Sequence, residues 1–145
     1  MNPPGVRYIT EEFIKIIAHE DHLDRIKKLN LDCGKGDKKI RYIEHLDNLN
    51  NITVLSIRFH AIEKIEKLDK LCNLRELYLS ENKIIRLDGL ENLLNLKTVA
   101  LKNVLNHKFQ TNVYDVLVDL KVESVELRNN EMYLIKRGMS KVLMQ

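Results

Sequence analysis

The sequence is poor in residues that staple, hinge or break a chain: 145 residues include 2 cysteines, 2 prolines and 5 glycines. Cys33 and Cys72 make no disulfide framework and no zinc site of known spacing, and they fit free thiols in a reducing compartment. The scarcity of glycine and proline excludes a collagen-like chain or a flexible linker. No apolar run approaches the ~18 residues that cross a bilayer, so no membrane partner is expected. Met1-Asn2-Pro3-Pro4-Gly5 lacks the charged-then-apolar order of a signal peptide, and a cytoplasmic protein is expected. Charge of one sign is also in small excess. The balance of 24 Lys+Arg against 21 Asp+Glu gives +3, and the pI of 8.8 lies below the ~9 that marks a nucleic-acid domain, so no nucleic-acid partner is expected. With 44 % hydrophobic residues the chain is too apolar for disorder. A domain of this size buries roughly 68–70 % of its unfolded surface and needs no metal or cofactor to fold.

What the sequence does contain is a repeat. Leu74, Leu77, Leu79, Ile84, Leu87, Leu90 and Leu93 are matched 22 residues earlier by Ile52, Leu55, Ile57, Ile62, Ile65, Leu68 and Leu71. Leu96, Val99 and Leu101 continue the register one unit later. Ile26, Leu29 and Leu31 fill the same slots 26 residues before Ile52, with the extra residues in the loop-like stretch Cys33-Gly34-Lys35-Gly36-Asp37-Lys38. Ile40, Ile43, Leu46 and Leu49 complete that unit, and Val122, Val125, Leu127, Asn130, Met132 and Ile135 form a last, incomplete one. Five units result.

Each unit pairs two periodicities. The alternation Leu77-x-Leu79 turns one face of a short strand inward, and the three-residue spacing Leu87-Leu90-Leu93 fits a tight helical return. One unit cannot bury its own apolar face, so the units stack into a parallel sheet backed by a continuous core. The fold class is α/β: a leucine-rich repeat solenoid with short parallel strands on its concave face. Asn82 and Asn130 stand where the chain leaves the strand, and a side-chain amide there satisfies backbone groups that no ladder reaches. His60 fills this slot in the second unit and does part of the work, whereas Val104 in the fourth cannot, which predicts a less regular arc over 103–112.

Thr10-Glu11-Glu12-Phe13 reads as a helix start, and Phe13, Ile14, Ile16 and Ile17 as its apolar stripe, giving an N-terminal capping helix from Thr10 to His19. Val113, Val116, Leu117 and Leu120 predict a helix over 112–120. The C-terminal stretch from Tyr133 has no obvious cap. It forms a small closing turn or leaves the last strand exposed and open to pairing; otherwise a monomer is expected. The layout is thus one domain over 1–145, with a cap over 6–25, repeats over 26–135 and a tail over 136–145.

Residues between the core leucines face outward on the concave side. Arg58, Glu76, Tyr78, Ser80, Lys102 and Arg128 are the candidate partner-binding residues, because tyrosine and arginine dominate binding hot spots and solenoids bind through this surface. Catalytic readings are weak. His19-Glu20-Asp21-His22 lacks the i, i+4 histidine spacing of a zinc protease, and Gly34-Lys35-Gly36-Asp37-Lys38-Lys39 lacks the spacing of a phosphate loop. That loop, with Arg41, makes a small basic patch. Cys72, among leucines, reads as a small core residue. Asn51-Ile52-Thr53 is a formal glycosylation acceptor without an expected secretory route. No catalytic, cofactor or metal residue is assigned, and the chain is expected not to be an enzyme.

The unit from Leu74 to Asn95 resembles the 22-residue class of leucine-rich repeats found in a protein-phosphatase-1 regulatory subunit and in many ciliary and centrosomal proteins. Gly5-Val6-Arg7-Tyr8-Ile9-Thr10-Glu11, Ile26-Lys27-Lys28-Leu29-Asn30-Leu31, Tyr42-Ile43-Glu44 and Lys64-Ile65-Glu66-Lys67-Leu68-Asp69-Lys70-Leu71, followed by Leu74-Arg75-Glu76-Leu77, resemble the N-terminal repeat region of the centriolin family. This resemblance extends to about Val104 and includes residues outside the repeat slots. It implies a non-catalytic protein-interaction module at the centrosome, centriole or cilium, with a cytoskeletal setting. Regulation of a protein phosphatase is the alternative.

Overall fold

The computed structural model describes residues 5–84 and 89–101, together with the backbone of the strands 124–127 and 131–134. The chain opens with β1 (Val6–Arg7) and α1 (Glu11–Ala18). Thr10 caps α1: its Oγ1 accepts from the Phe13 N–H at 3.0 Å, and Glu11 and Glu12 place negative charge at the positive end of the helix. His19 ends it in the left-handed conformation, φ 54, with Glu20 N–H returning to Lys15 O at 3.2 Å. The helix packs on β2 (Lys28–Asn30). Its buried face is Ile14, flanked by Phe13 and Ala18. This corrects the expected stripe, since Ile16 is 67 % and Ile17 40 % exposed. At 100° per residue Ile16 falls away from the Ile14–Ala18 line.

The main sheet runs β2, β4 (Val54–Ser56), β5 (Glu76–Tyr78), β6 (Thr98–Leu101), β7 (Ser124–Leu127) and β8 (Glu131–Leu134). The first five strands are parallel, and Leu29, Leu55, Leu77, Val99 and Val125 stand in register. The 22-residue period and both longer offsets, Lys28 to Val54 and Thr98 to Ser124, are therefore built into the pairing. A second, two-stranded sheet joins β1 to β3 (Lys39–Ile40) in parallel.

Among the described residues the core continues from the strands through the returns. Ile40, Ile62 and Ile84, then Leu46, Leu68 and Leu90, are all fully buried. Returns close with i to i−3 bonds, such as Leu71 N–H to Leu68 O at 3.0 Å and Leu74 N–H to Leu71 O at 3.0 Å, the geometry that the three-residue spacing predicts. The backbone repeats as faithfully as the side chains. His45, Lys67 and Gly89, 22 residues apart, are all left-handed, and so are Phe59 and Glu81, just before His60 and Asn82.

The same turns overturn the placement of Cys72. Leu71 and Leu74 point inward, and Cys72 between them is exposed, as are Asn50 and Leu94 at the same slot. The next slot holds an unexpected ladder. Asn51 Nδ2 donates to Asp24 O at 2.7 Å, Asn73 to Asn50 O at 2.9 Å, and Asn95 to Cys72 O at 2.8 Å. The amide of the formal glycosylation acceptor is thus engaged in joining its unit to the preceding one.

At the far end β8 pairs antiparallel with β7, Ser124 opposite Leu134 and Leu127 opposite Glu131. Glu131–Leu134 doubles back along β7 and covers its edge, so the pairing expected at an open strand does not apply to β7; the rest of the stretch where a closing turn is expected, 135–145, lies outside the described residues. The irregular arc over 103–112, the helix over 112–120, Asn130, and the candidates Lys102 and Arg128 lie outside the described residues.

Candidate functional site

The register of the sheet brings the outward-facing residues into rows. Lys28, Val54, Glu76 and Thr98 form one row and Asn30, Ser56, Tyr78 and Ala100 the next. Across β2, β4 and β5 this face holds an open depression of about 400 Å³, lined by Lys28, Asn30, Val54, Ser56, Arg58 and Tyr78, with Leu29 contributing to its wall.

Asp32 organises this depression. Its Oδ1 accepts from Ser56 Oγ at 2.6 Å and from Arg58 N–H at 2.7 Å, and its Oδ2 accepts from Arg58 Nε at 2.9 Å and Nη2 at 2.8 Å. Burial raises the Asp32 pKa, but the bonds from the Arg58 side chain, Ser56 and the Arg58 backbone, with the guanidinium charge, outweigh it and hold the carboxyl below its ordinary value. Arg58 is consequently fixed in one orientation, with its side chain 41 % exposed. It also lies over the Phe59 ring, 5.7 Å from the centroid. Asp32 and Arg58 are 26 residues apart, the offset between their units, and the register sets them side by side. Tyr78 donates its hydroxyl to Glu76 Oε1, and both side chains are half-buried.

Of the six residues selected from sequence, the structure therefore brings together Arg58, Glu76 and Tyr78. Ser80, at the register position of Arg58 one unit later, is 7 % exposed, as is Ser56 in the depression itself. It follows buried Leu79, where the chain is already turning off the strand into the arc toward Asn82.

Below this face the strand exits are sealed by side chains. Asn82 Oδ1 accepts from Ile62 N–H at 3.1 Å, and its Nδ2 donates to Ile57 O at 2.8 Å and Leu79 O at 2.9 Å. One unit earlier, His60 Nδ1 accepts from Ile40 N–H at 2.9 Å and Nε2 meets Leu31 O. An imidazole protonated on Nε2 thus reproduces the two bonds that tie Asn82 to the preceding unit. It lacks the bond within its own unit, which is the partial substitution expected from sequence. Burial is the main cause that pushes the His60 pKa down, and Lys39 adds to it against the opposing Leu31 carbonyl, Asp32 and Asp37.

Chemistry of other kinds finds few groups to work with. Among the described residues no three His, Cys, Asp or Glu side chains converge as metal ligands, and no helix is long and apolar enough to cross a membrane. His22 N–H donates to Glu20 Oε1 at 3.1 Å within the His19–His22 stretch. Gly34 N–H donates to Asp37 Oδ2 at 3.1 Å, which closes the glycine loop on itself.

Repeated units, parallel strands in register and sealed strand exits define a leucine-rich repeat fold. Internalin C2 of Listeria monocytogenes shares it, with a TM-score of 0.61 at 19 % identity over 83 % of this chain and 64 % of that one. In sequence the chain resembles centriolin of Mus musculus, 50 % identical over 61 residues, a stretch that is 41 % of this chain and 3 % of centriolin. The match thus spans less than two thirds of either protein. No family model matches the chain.

Proposed function

We propose that the chain is a non-catalytic interaction module of five repeats, capped by α1, that binds a protein partner through the outer, concave face of its parallel sheet. The observation that carries this reading is the depression across β2, β4 and β5, where Asp32 holds Arg58 in place beside Tyr78. An arginine already ordered and an aromatic ring already half-buried lose little freedom on binding, which favours affinity. Arg58, Glu76 and Tyr78 form the centre of the site, and Ser80 stands at the register position of Arg58 one unit later; Lys102 and Arg128, proposed with them from sequence, lie outside the described residues. The likeness to centriolin supports a centrosomal, centriolar or ciliary setting in the cytoplasm.

The test is quantitative affinity capture from cell lysate with the wild type and with Tyr78→Ala/Lys28→Glu. Both substitutions change the face and leave the Asp32 network intact, so the two baits are expected to melt alike. Centrosomal proteins captured by the wild type and lost with the variant support the reading. Identical captures refute the assignment of this face. Phosphatase catalytic activity in the wild-type eluate would instead identify a phosphatase regulator.

A further inference from the structure

A second surface lies off the sheet, on the arcs that follow the strands. Lys39, Ala61 and Lys83 occupy one repeat position, 22 residues apart, and the arcs are held side by side by Ala61 N–H to Ile40 O at 2.9 Å and Lys83 N–H to Ile62 O at 2.8 Å. The middle member of this column is alanine. Its missing bulk leaves a depression of about 580 Å³ between two lysines, with Lys38 and Arg41 also on its walls. All four cations are exposed. Lys39 is held by its own bond, Nζ to Phe59 O at 2.9 Å. Among the described residues Lys38 and Lys83 have no ion-pair partner. Two carboxylates share the lining, Asp37 and Glu63. Asp37 is turned into the glycine loop by its bond to Gly34 N–H. The lining thus carries a net excess of positive charge around a small apolar floor.

We infer that this trough is a docking site for an acidic peptide segment of a partner protein, distinct from the sheet-face site. Clustered cations on a concave surface recognise acidic motifs through charge-assisted hydrogen bonds. The chemistry favours a peptide over a nucleic acid. The lining holds no aromatic ring on which a base could stack, and Glu63 would repel an unbroken run of phosphates while accepting a basic residue within an otherwise acidic peptide.

The experiment is fluorescence anisotropy of a short fluorescein-labelled Glu/Asp-rich peptide titrated with the full chain. Saturable binding that weakens with salt is expected. Lys38→Glu/Lys83→Glu should lower the affinity about tenfold. Lys64→Glu/Lys70→Glu, an equal charge change at exposed positions outside the trough, should leave it within about twofold. Ala61→Leu fills the floor without altering charge and should weaken binding severalfold, whereas Tyr78→Ala should not affect it, which separates this site from the sheet face. No binding by the wild type, equal losses in the two charge variants, or unchanged binding by Ala61→Leu would overturn the inference. So would a single-stranded RNA that competes more strongly than the peptide with the same variant sensitivity.

Discussion

At the scale of single residues, His60 is where a chemical substitution changes how the repeat behaves. Its neutral imidazole accepts from Ile40 and donates toward Leu31; a proton on Nδ1 would remove the acceptor and bury a charge beside Lys39. Because folding lowers its pKa below the ordinary imidazole value of 6.5, the stability it contributes is complete above that value and is lost as pH falls through the folded pKa. Urea denaturation between about pH 7.5 and about pH 5 should therefore show a falling midpoint in the wild type and a smaller fall in His60→Asn, whose side chain does not titrate. A wild-type midpoint that does not fall would contradict the tautomer. The slot itself was legible in sequence, because Asn82 and His60 share a register. The bonds of the Asp32–Arg58 pair and of the Asn51, Asn73 and Asn95 ladder were not, since the repeat spacing aligns these residues but their side-chain directions are set only when the units stack. Cys72 was misread because apolar neighbours in sequence need not share a direction when the spacing between buried residues is three.

At the scale of the element, the returns set the tightest limits. Gly89 has φ 94, and a Cβ there would lie 2.2 Å from Ile65 O. Gly36 has a similar φ of 84 with open space around it. Gly89→Ala should consequently cost more than the ~1–3 kcal/mol of left-handed strain alone, and Gly36→Ala should stay within that range. Equal shifts of the thermal midpoint would mean that the third return does not approach the second. Lys67 holds the corresponding place one unit earlier with a side chain, so the close contact belongs to the Gly89 return rather than to the repeat in general. The C-terminal strand was not legible for a related reason. Asn130, Met132 and Ile135 satisfy the repeat spacing, and a segment this short also satisfies a strand; pairing with β7 decides between them.

At the scale of the molecule, the core is a single column of apolar layers, one per unit. Leu77 is fully buried in the middle of the described sheet, so Leu77→Ala should cost about 2–5 kcal/mol by urea denaturation. Contacts in such an array run between neighbours. Hydrogen exchange should therefore quicken most in β4, β5 and β6 and least in α1; a uniform change along the chain would indicate a more global cooperativity. This level was the most legible in sequence, because seven apolar slots recurring at one period constrain both the strand register and the direction of every return. The outer face was less so, because the same period says which positions point outward but not how much of each its neighbours cover, as Ser56 and Ser80 show.

The strand-exit side chains also give the array a direction of dependence. Asn82 reaches back to Ile57 and Ile62, and His60 reaches back to Leu31 and Ile40; each of these two units completes its own turn by holding the one before it. Loss of a unit from the C-terminal side exposes carbonyls and amides that water can serve. Loss from the N-terminal side takes both backward partners from the amide or imidazole and uncovers it. The two ends of the array are therefore not equivalent: one presents the backbone groups of a turn, the other a side chain that has lost its partners.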